Sequence, residues 1–133
     1  MDKDYLTHKK SLLQVLKSEG ITFIVLAGFL LKIPSYLIQA FPNKIINIHP
    51  ALLPKFGGKG MYGMNIHRAV KESQEKETGL TVHYVNENYD EGEHIFQCKC
   101  EILPSDSAED IAAKLLKMEH QHFSEVIDRL LQQ

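Results

Sequence analysis

The sequence predicts an α/β protein built on a layered sheet. Two short, predominantly apolar runs, Thr22–Leu26 and Lys44–Ile48, read as strands buried on both faces. Segments with helical apolar spacing alternate with them, the pattern of helices covering a sheet. A length of 133 residues, with no internal repeat and no dividing linker, allows one modest domain.

The elements follow in chain order. Residues 8–19 carry Leu12, Leu13, Val15 and Leu16 at helical spacing, and Gly20 suits the C′ position beyond them. Thr22–Leu26 is the first strand. Pro34 suits the first position of a helix that ends before Pro42. Lys44–Ile48 is the second strand. Residues 50–64 hold two prolines and four glycines and read as a loop. A short helix from Ile66 to about Gln74 comes next. Gly79–Val85 and His94–Ile102 are strand-like, with a turn through Asn86–Gly92 between them. Ser107, with Asp110 three residues on, is a capping-box-like start for a long helix over Ala108–Leu131. Its apolar face is Ile111, Leu115, Met118, Phe123, Val126, Ile127 and Leu130.

Composition removes several classes. With 44% apolar and 24% charged residues the chain is neither fibrous nor low-complexity nor disordered. Fifteen basic against 17 acidic residues leave a net charge of −2, which points to neither nucleic acid nor a membrane surface. The longest apolar run, Phe23–Leu31, has nine residues, against the ~20 needed to span a bilayer. Met1–Tyr5 is charged and no apolar signal segment follows it. Cys98 and Cys100 sit two apart, on one face of a strand, which is poor geometry for a mutual disulfide. Ordinary thiols in a reducing cytoplasm are the expectation.

The most informative stretch is Ile46-Asn47-Ile48-His49-Pro50. At the end of a strand, Asn47 and His49 project to one side, and ligand sites in α/β sheets lie at the carboxyl ends of strands. An amide beside an imidazole supplies donors for a developing oxyanion and a group that moves protons near neutral pH. The residues alone slightly favour a plainer reading, a strand-end histidine with a satisfied hydrogen bond and an asparagine that turns the chain. A second stretch runs from Val82-His83-Tyr84-Val85 into Asn88-Tyr89-Asp90-Glu91-Gly92. Asp90 before a glycine is an ordinary turn former, unless it faces an imidazole whose tautomer and charge it would set.

Taken together, L-A-G-F-L at 26–30, N-I-H-P-A-L-L-P-K-F at 47–56, G-L-T-V-H-Y-V at 79–85, Y-D-E-G at 89–92 and M-E-H at 118–120 resemble the phosphoribosylglycinamide formyltransferase family. The resemblance extends over essentially the whole chain. It implies a three-layer, mostly parallel sheet of the Rossmann-like formyltransferase type. It also implies transfer of a formyl group from 10-formyltetrahydrofolate to the amine of glycinamide ribonucleotide, in purine biosynthesis, with no metal. Asn47, His49 and Asp90 match the family's catalytic residues. Leu30, Leu31, Lys32 and Ile33, with Asn47, Tyr89 and Asp90, match its folate-binding segments. Leu30 and Ile33 suit a core role equally well. His49 and Glu119 match positions that contact the ribonucleotide, Glu119 through the ribose hydroxyls; a solvated helix carboxylate is the plainer reading of Glu119. His83 matches a histidine behind the site, and a buried structural histidine is the plainer reading there.

The chain also departs from that family. Members begin with a strand and a Gly-rich loop that binds the substrate phosphate, and Met1 falls beyond their third strand. The chain therefore matches the C-terminal two-thirds of the family. The strand at Thr22–Leu26, central in the family, is expected to become a sheet edge, covered by a second copy of the chain or by a separate N-terminal piece. Two alternatives share the Asn, His and Asp, a formyltetrahydrofolate deformylase and a methionyl-tRNA formyltransferase; a third is a non-catalytic folate- or partner-binding fragment lacking the phosphate-binding N-terminus. Pro50 and the L-L-P-K-F context favour the ribonucleotide enzyme, and the lack of a basic C-terminal domain argues against tRNA. A metal hydrolase lacks any H-E-x-x-H or paired-cysteine spacing.

Overall fold

The computed structural model describes residues 9–27, 33–87 and 92–132. The described elements are α1 (Lys9–Ser18), β1 (Ile24–Ala27), α2 (Ser35–Ala40), β2 (Ile45–His49), α3 (Met64–Glu72), β3 (Glu77–Tyr84), β4 (His94–Glu101) and α4 (Ala108–Leu131). The strands form one sheet in the order β1-β2-β3-β4.

Side-chain alternation in β2 separates two cores. Ile46 and Ile48 point to one face and pack with Leu80 and Val82 of β3, Ile66 and Val70 of α3, and Ile111, Leu115 and Val126 of α4. On the other face, Ile45 joins Leu12 of α1 with Ile33, Leu37 and Phe41 around α2. Helices therefore cover both faces, giving the three layers expected. Full burial of each such aliphatic side chain contributes roughly 1.5–3 kcal/mol, and Ile46, Ile66, Leu80, Ile111 and Leu115 are essentially inaccessible.

Local chemistry explains where elements begin and end. Gly20 takes φ +70° after α1, as a C′ glycine does. Ser107 and Asp110 form a full reciprocal capping box at the start of α4. Pro34 lies one position earlier than expected, as the extended residue before α2 rather than its first helical residue.

Strand direction differs more. A mostly parallel sheet was the expectation, yet among the described strands only β1 and β2 are parallel, while β2–β3 and β3–β4 are antiparallel. The reason is topological. The loop and α3 leave β2 at its carboxyl end and deliver β3 to that same end, and β4, next in the chain, pairs antiparallel with β3. The sheet is open and mixed. Among the described strands β1 lies at the edge, as expected, with Val25 37% exposed on the face opposite α1 and α2. No described helix is long and apolar enough to cross a membrane.

Candidate active site

Asn47 and His49 share the β2 face opposite Ile46 and Ile48, and antiparallel pairing sets Asn47 against His83 and His49 against Thr81. β4 extends the second row by placing Gln97 opposite Thr81. Two polar rows thus cross the carboxyl end of β2.

In the first row, Asn47 Nδ2 lies 3.3 Å from His83 Nε2, and His83 Nδ1 lies 2.9 Å from the Tyr84 carbonyl oxygen. A carbonyl only accepts, so His83 Nδ1 carries the hydrogen, and in the neutral ring Nε2 accepts from the Asn47 amide. That assignment also orients the amide. One Asn47 N–H is committed to His83, and the second N–H and Oδ1 remain outside that bond. Gly92 permits the close packing here, because a Cβ at that position would stand 1.6 Å from the Tyr84 oxygen and 3.4 Å from His83 Nδ1.

In the second row, His49 is 4% exposed and its Nε2 lies 2.7 Å from the Phe56 carbonyl oxygen. By the same reasoning Nε2 holds a hydrogen in every charge state, and Nδ1 is the nitrogen whose proton comes and goes. The chain returns to the ring through tight turns, with Ala51 N–H donating to the His49 carbonyl at 2.9 Å and Phe56 in the left-handed region at φ +58°. His67 of α3 is a second buried imidazole coupled to His49. Burial lowers its pKa, the positive charge of His49 lowers it further, and its Nδ1 has no hydrogen-bond partner among the described residues.

The remaining expected site residues fall elsewhere. Asp90, Tyr89, Leu30, Leu31 and Lys32 lie outside the described residues. Ile33 is 8% exposed within the α1–α2 cluster, a packing that suits the core role the sequence allows it beside the folate-binding one. Glu119 lines a small apolar cavity with Ile48, Leu80, Val82, Phe96, His122 and Phe123. It lies across the sheet from Asn47 and His83, and the described contacts do not join them. His83, expected behind the site, touches Asn47 directly. Among the described residues no group of three His, Cys, Asp or Glu side chains is placed to hold a metal ion.

Sequence reasoning missed Thr81, Gln97 and His67. Thr81 has a signal that was available, since it shares a strand face with His83, two residues on, but its partner across the sheet depends on register. His67 had none: a histidine on an amphipathic helix reads as an ordinary interface residue.

The Formyl transferase family model matches residues 3–127. The chain is 45% identical over 122 residues to the chloroplastic phosphoribosylglycinamide formyltransferase of Arabidopsis thaliana, covering 92% of this chain and 42% of that protein. It is 38% identical over 123 residues to the Bacillus subtilis phosphoribosylglycinamide formyltransferase, covering 92% of this chain and 60% of that one. Among solved structures, the phosphoribosylglycinamide formyltransferase of Bacillus halodurans superposes with a TM-score of 0.84 at 33% identity, over 92% of this chain and 61% of that chain. The chain therefore spans 42–61% of the length of these relatives.

Proposed function

The chain belongs to the formyl transferase family, and from that premise we propose that it carries the formyl-transfer centre of a phosphoribosylglycinamide formyltransferase. The donor is 10-formyltetrahydrofolate and the acceptor is the primary amine of glycinamide ribonucleotide. The observation that carries this reading is the Asn47–His83 pair beside His49 at the carboxyl end of β2.

The chemistry follows from those groups. The amine nitrogen attacks the formyl carbon, a C–N bond forms, and the carbonyl electron pair moves onto oxygen. The second N–H of Asn47 and the Nδ1–H of protonated His49 donate to that oxyanion, the kind of stabilisation that is usually the largest single contribution to such a step. Collapse then breaks the bond to the folate nitrogen, and one proton passes from the attacking nitrogen to the departing one. Asp90 supports His49 in its charged form and relays that proton, directly or through water. His83 holds the Asn47 amide in its donating orientation. No covalent enzyme intermediate is needed.

Leu30, Leu31, Lys32, Tyr89 and Asp90 are assigned to folate binding by their match to the family's folate-binding segments. Glu119 offers its carboxylate to the ribose hydroxyls of a ribonucleotide lying across the end of the sheet. The compartment is reducing, in keeping with the free thiols of Cys98 and Cys100, which burial pushes up in pKa and keeps protonated. The open edge of β1 takes a further strand, from a second copy of the chain or from a separate piece supplying what the longer relatives carry.

The assay is direct. Purified chain with both substrates should give formylated ribonucleotide, with activity rising when an N-terminal segment of a relative is supplied. Formate released at the same rate with and without the ribonucleotide would replace transfer by hydrolysis. No turnover of the donor under either condition would remove the enzymatic reading.

A further inference from the structure

We propose that Thr81 and Gln97 are positioning residues for His49, acting through the main chain of residues 51–56. The Thr81 hydroxyl donates to the Ala51 carbonyl at 2.7 Å and accepts from the Leu53 amide at 3.1 Å. Gln97 Nε2 donates to the same hydroxyl at 3.0 Å and to the Leu53 carbonyl at 3.2 Å. The hydroxyl's one hydrogen and both lone pairs are in use, and so are both amide hydrogens of Gln97. The Leu53 carbonyl can only accept, which fixes which end of the Gln97 amide faces it.

This pair grips the midpoint of a closed loop. The chain leaves His49, passes the three main-chain groups held by Thr81 and Gln97, and brings the Phe56 carbonyl back to His49 Nε2. Because His49, Thr81 and Gln97 form one row across three strands, the sheet itself sets the height at which Phe56 meets the ring. Gly79, two residues before Thr81, lets the loop seat: a Cβ there would stand 2.6 Å from Leu52 Cδ2 and 1.9 Å from the Cys98 carbonyl oxygen.

The consequence is chemical rather than only mechanical. A carbonyl held against Nε2 forces the Nε2–H tautomer, so that Nδ1 alone exchanges the proton. Release of the loop removes that constraint and lets both neutral tautomers form. The catalytic consequence rests on the formyl-transfer reading, whereas the effect on the ring does not.

The test reads the ring itself. Imidazole 15N spectra of the full chain are recorded for wild type, Thr81→Val, Thr81→Ser and Gln97→Leu, with the His49 signals identified by their loss in His49→Gln. Wild type and Thr81→Ser should show Nε2–H His49, while Thr81→Val and Gln97→Leu show a tautomer mixture. Gln97 is solvent-exposed, so its variant decides the matter if Thr81→Val does not fold. Where transfer activity is measurable, kcat should fall roughly ten- to a hundredfold in the two disruptive variants, with KM nearly unchanged. Folded Gln97→Leu with the wild-type tautomer, or wild type with hydrogen on Nδ1, overturns the proposal. A wild-type chain without transfer activity but with the expected tautomer shift overturns the functional reading and leaves this one standing.

Discussion

Asn47 and His83, 36 positions apart in the chain, meet across the β2–β3 pairing with the amide nitrogen 3.3 Å from the imidazole Nε2. In the proposed mechanism, replacing Asn47 by Ala removes a donor to the developing oxyanion. Loss of one such donor costs about 10²–10³ in kcat. His83→Phe keeps an aromatic ring, somewhat larger than imidazole, but leaves the amide unanchored, and kcat should fall by a smaller factor with KM little changed. Steady-state kinetics of the two variants and their double mutant check this. Additive losses would mean that His83 does not act through Asn47.

Gly92→Ala should damage both the fold and the site. The added methyl would enter the space of the Tyr84 carbonyl, the group that fixes the His83 tautomer. Overpacking of this kind costs about 1–3 kcal/mol, and a main-chain collision lies at the upper end or beyond. Denaturant unfolding should show a loss of that size, while Gly58→Ala, with open space around its Cβ position, should show only the penalty of its positive φ.

Stability should fall on both sides of neutrality because of one ion pair. Asp106 binds Lys114 and accepts from the Leu103 amide, which pins the turn between β4 and α4. Hydrogen bonding to Lys114, then to Leu103, lowers the Asp106 pKa, and the same bond raises that of Lys114. A lowered carboxylate pKa contributes stability above its ordinary value of 3.8 and loses it as pH falls through the folded value. A raised lysine pKa contributes below 10.5 and loses it as pH rises through the folded value. Asp106→Asn should therefore lower Tm at pH 7 and converge with wild type in strong acid, as thermal melts across pH would show.

His67 adds a slope of its own. Its lowered pKa means that the unfolded chain binds the proton more readily, so stability declines as pH falls below 6.5. His67→Leu should flatten melts in that window. An unchanged slope would place the charge on another group.

How far the sequence discloses this arrangement depends on the range of the physics involved. The capping box at Ser107 and Asp110, the C′ glycine at position 20 and the 24-residue α4 are local, and they stand where chain-order reading places them. Asn47 and His49 are legible as a strand-end pair because two residues share a face within one strand. Their partners are not legible in that way. His83, Thr81 and Gln97 reach the site through register, and a slip of one position would turn each to the opposite face. Strand direction is hidden for the same reason, since two buried apolar strands look alike whichever way the connection returns.

β1 pairs with β2 on one side only among the described strands, and its neighbour in the register, Ile46, is fully buried while Val25 is 37% exposed. Ile21, just before the strand, and Val15 on α1 are also exposed, at 38% and 47%. Backbone groups along a flat apolar edge recruit another strand, and a charged side chain is the usual block. Light scattering after size exclusion should therefore show species heavier than the 15.2 kDa monomer, with concentration-dependent mass. Val25→Lys should move the population toward monomer without changing the circular dichroism of the fold. Addition of an N-terminal segment from a longer relative should do the same by filling the edge. A wild-type chain that stays monomeric at all concentrations and unfolds cooperatively would show that the β1 edge needs no partner.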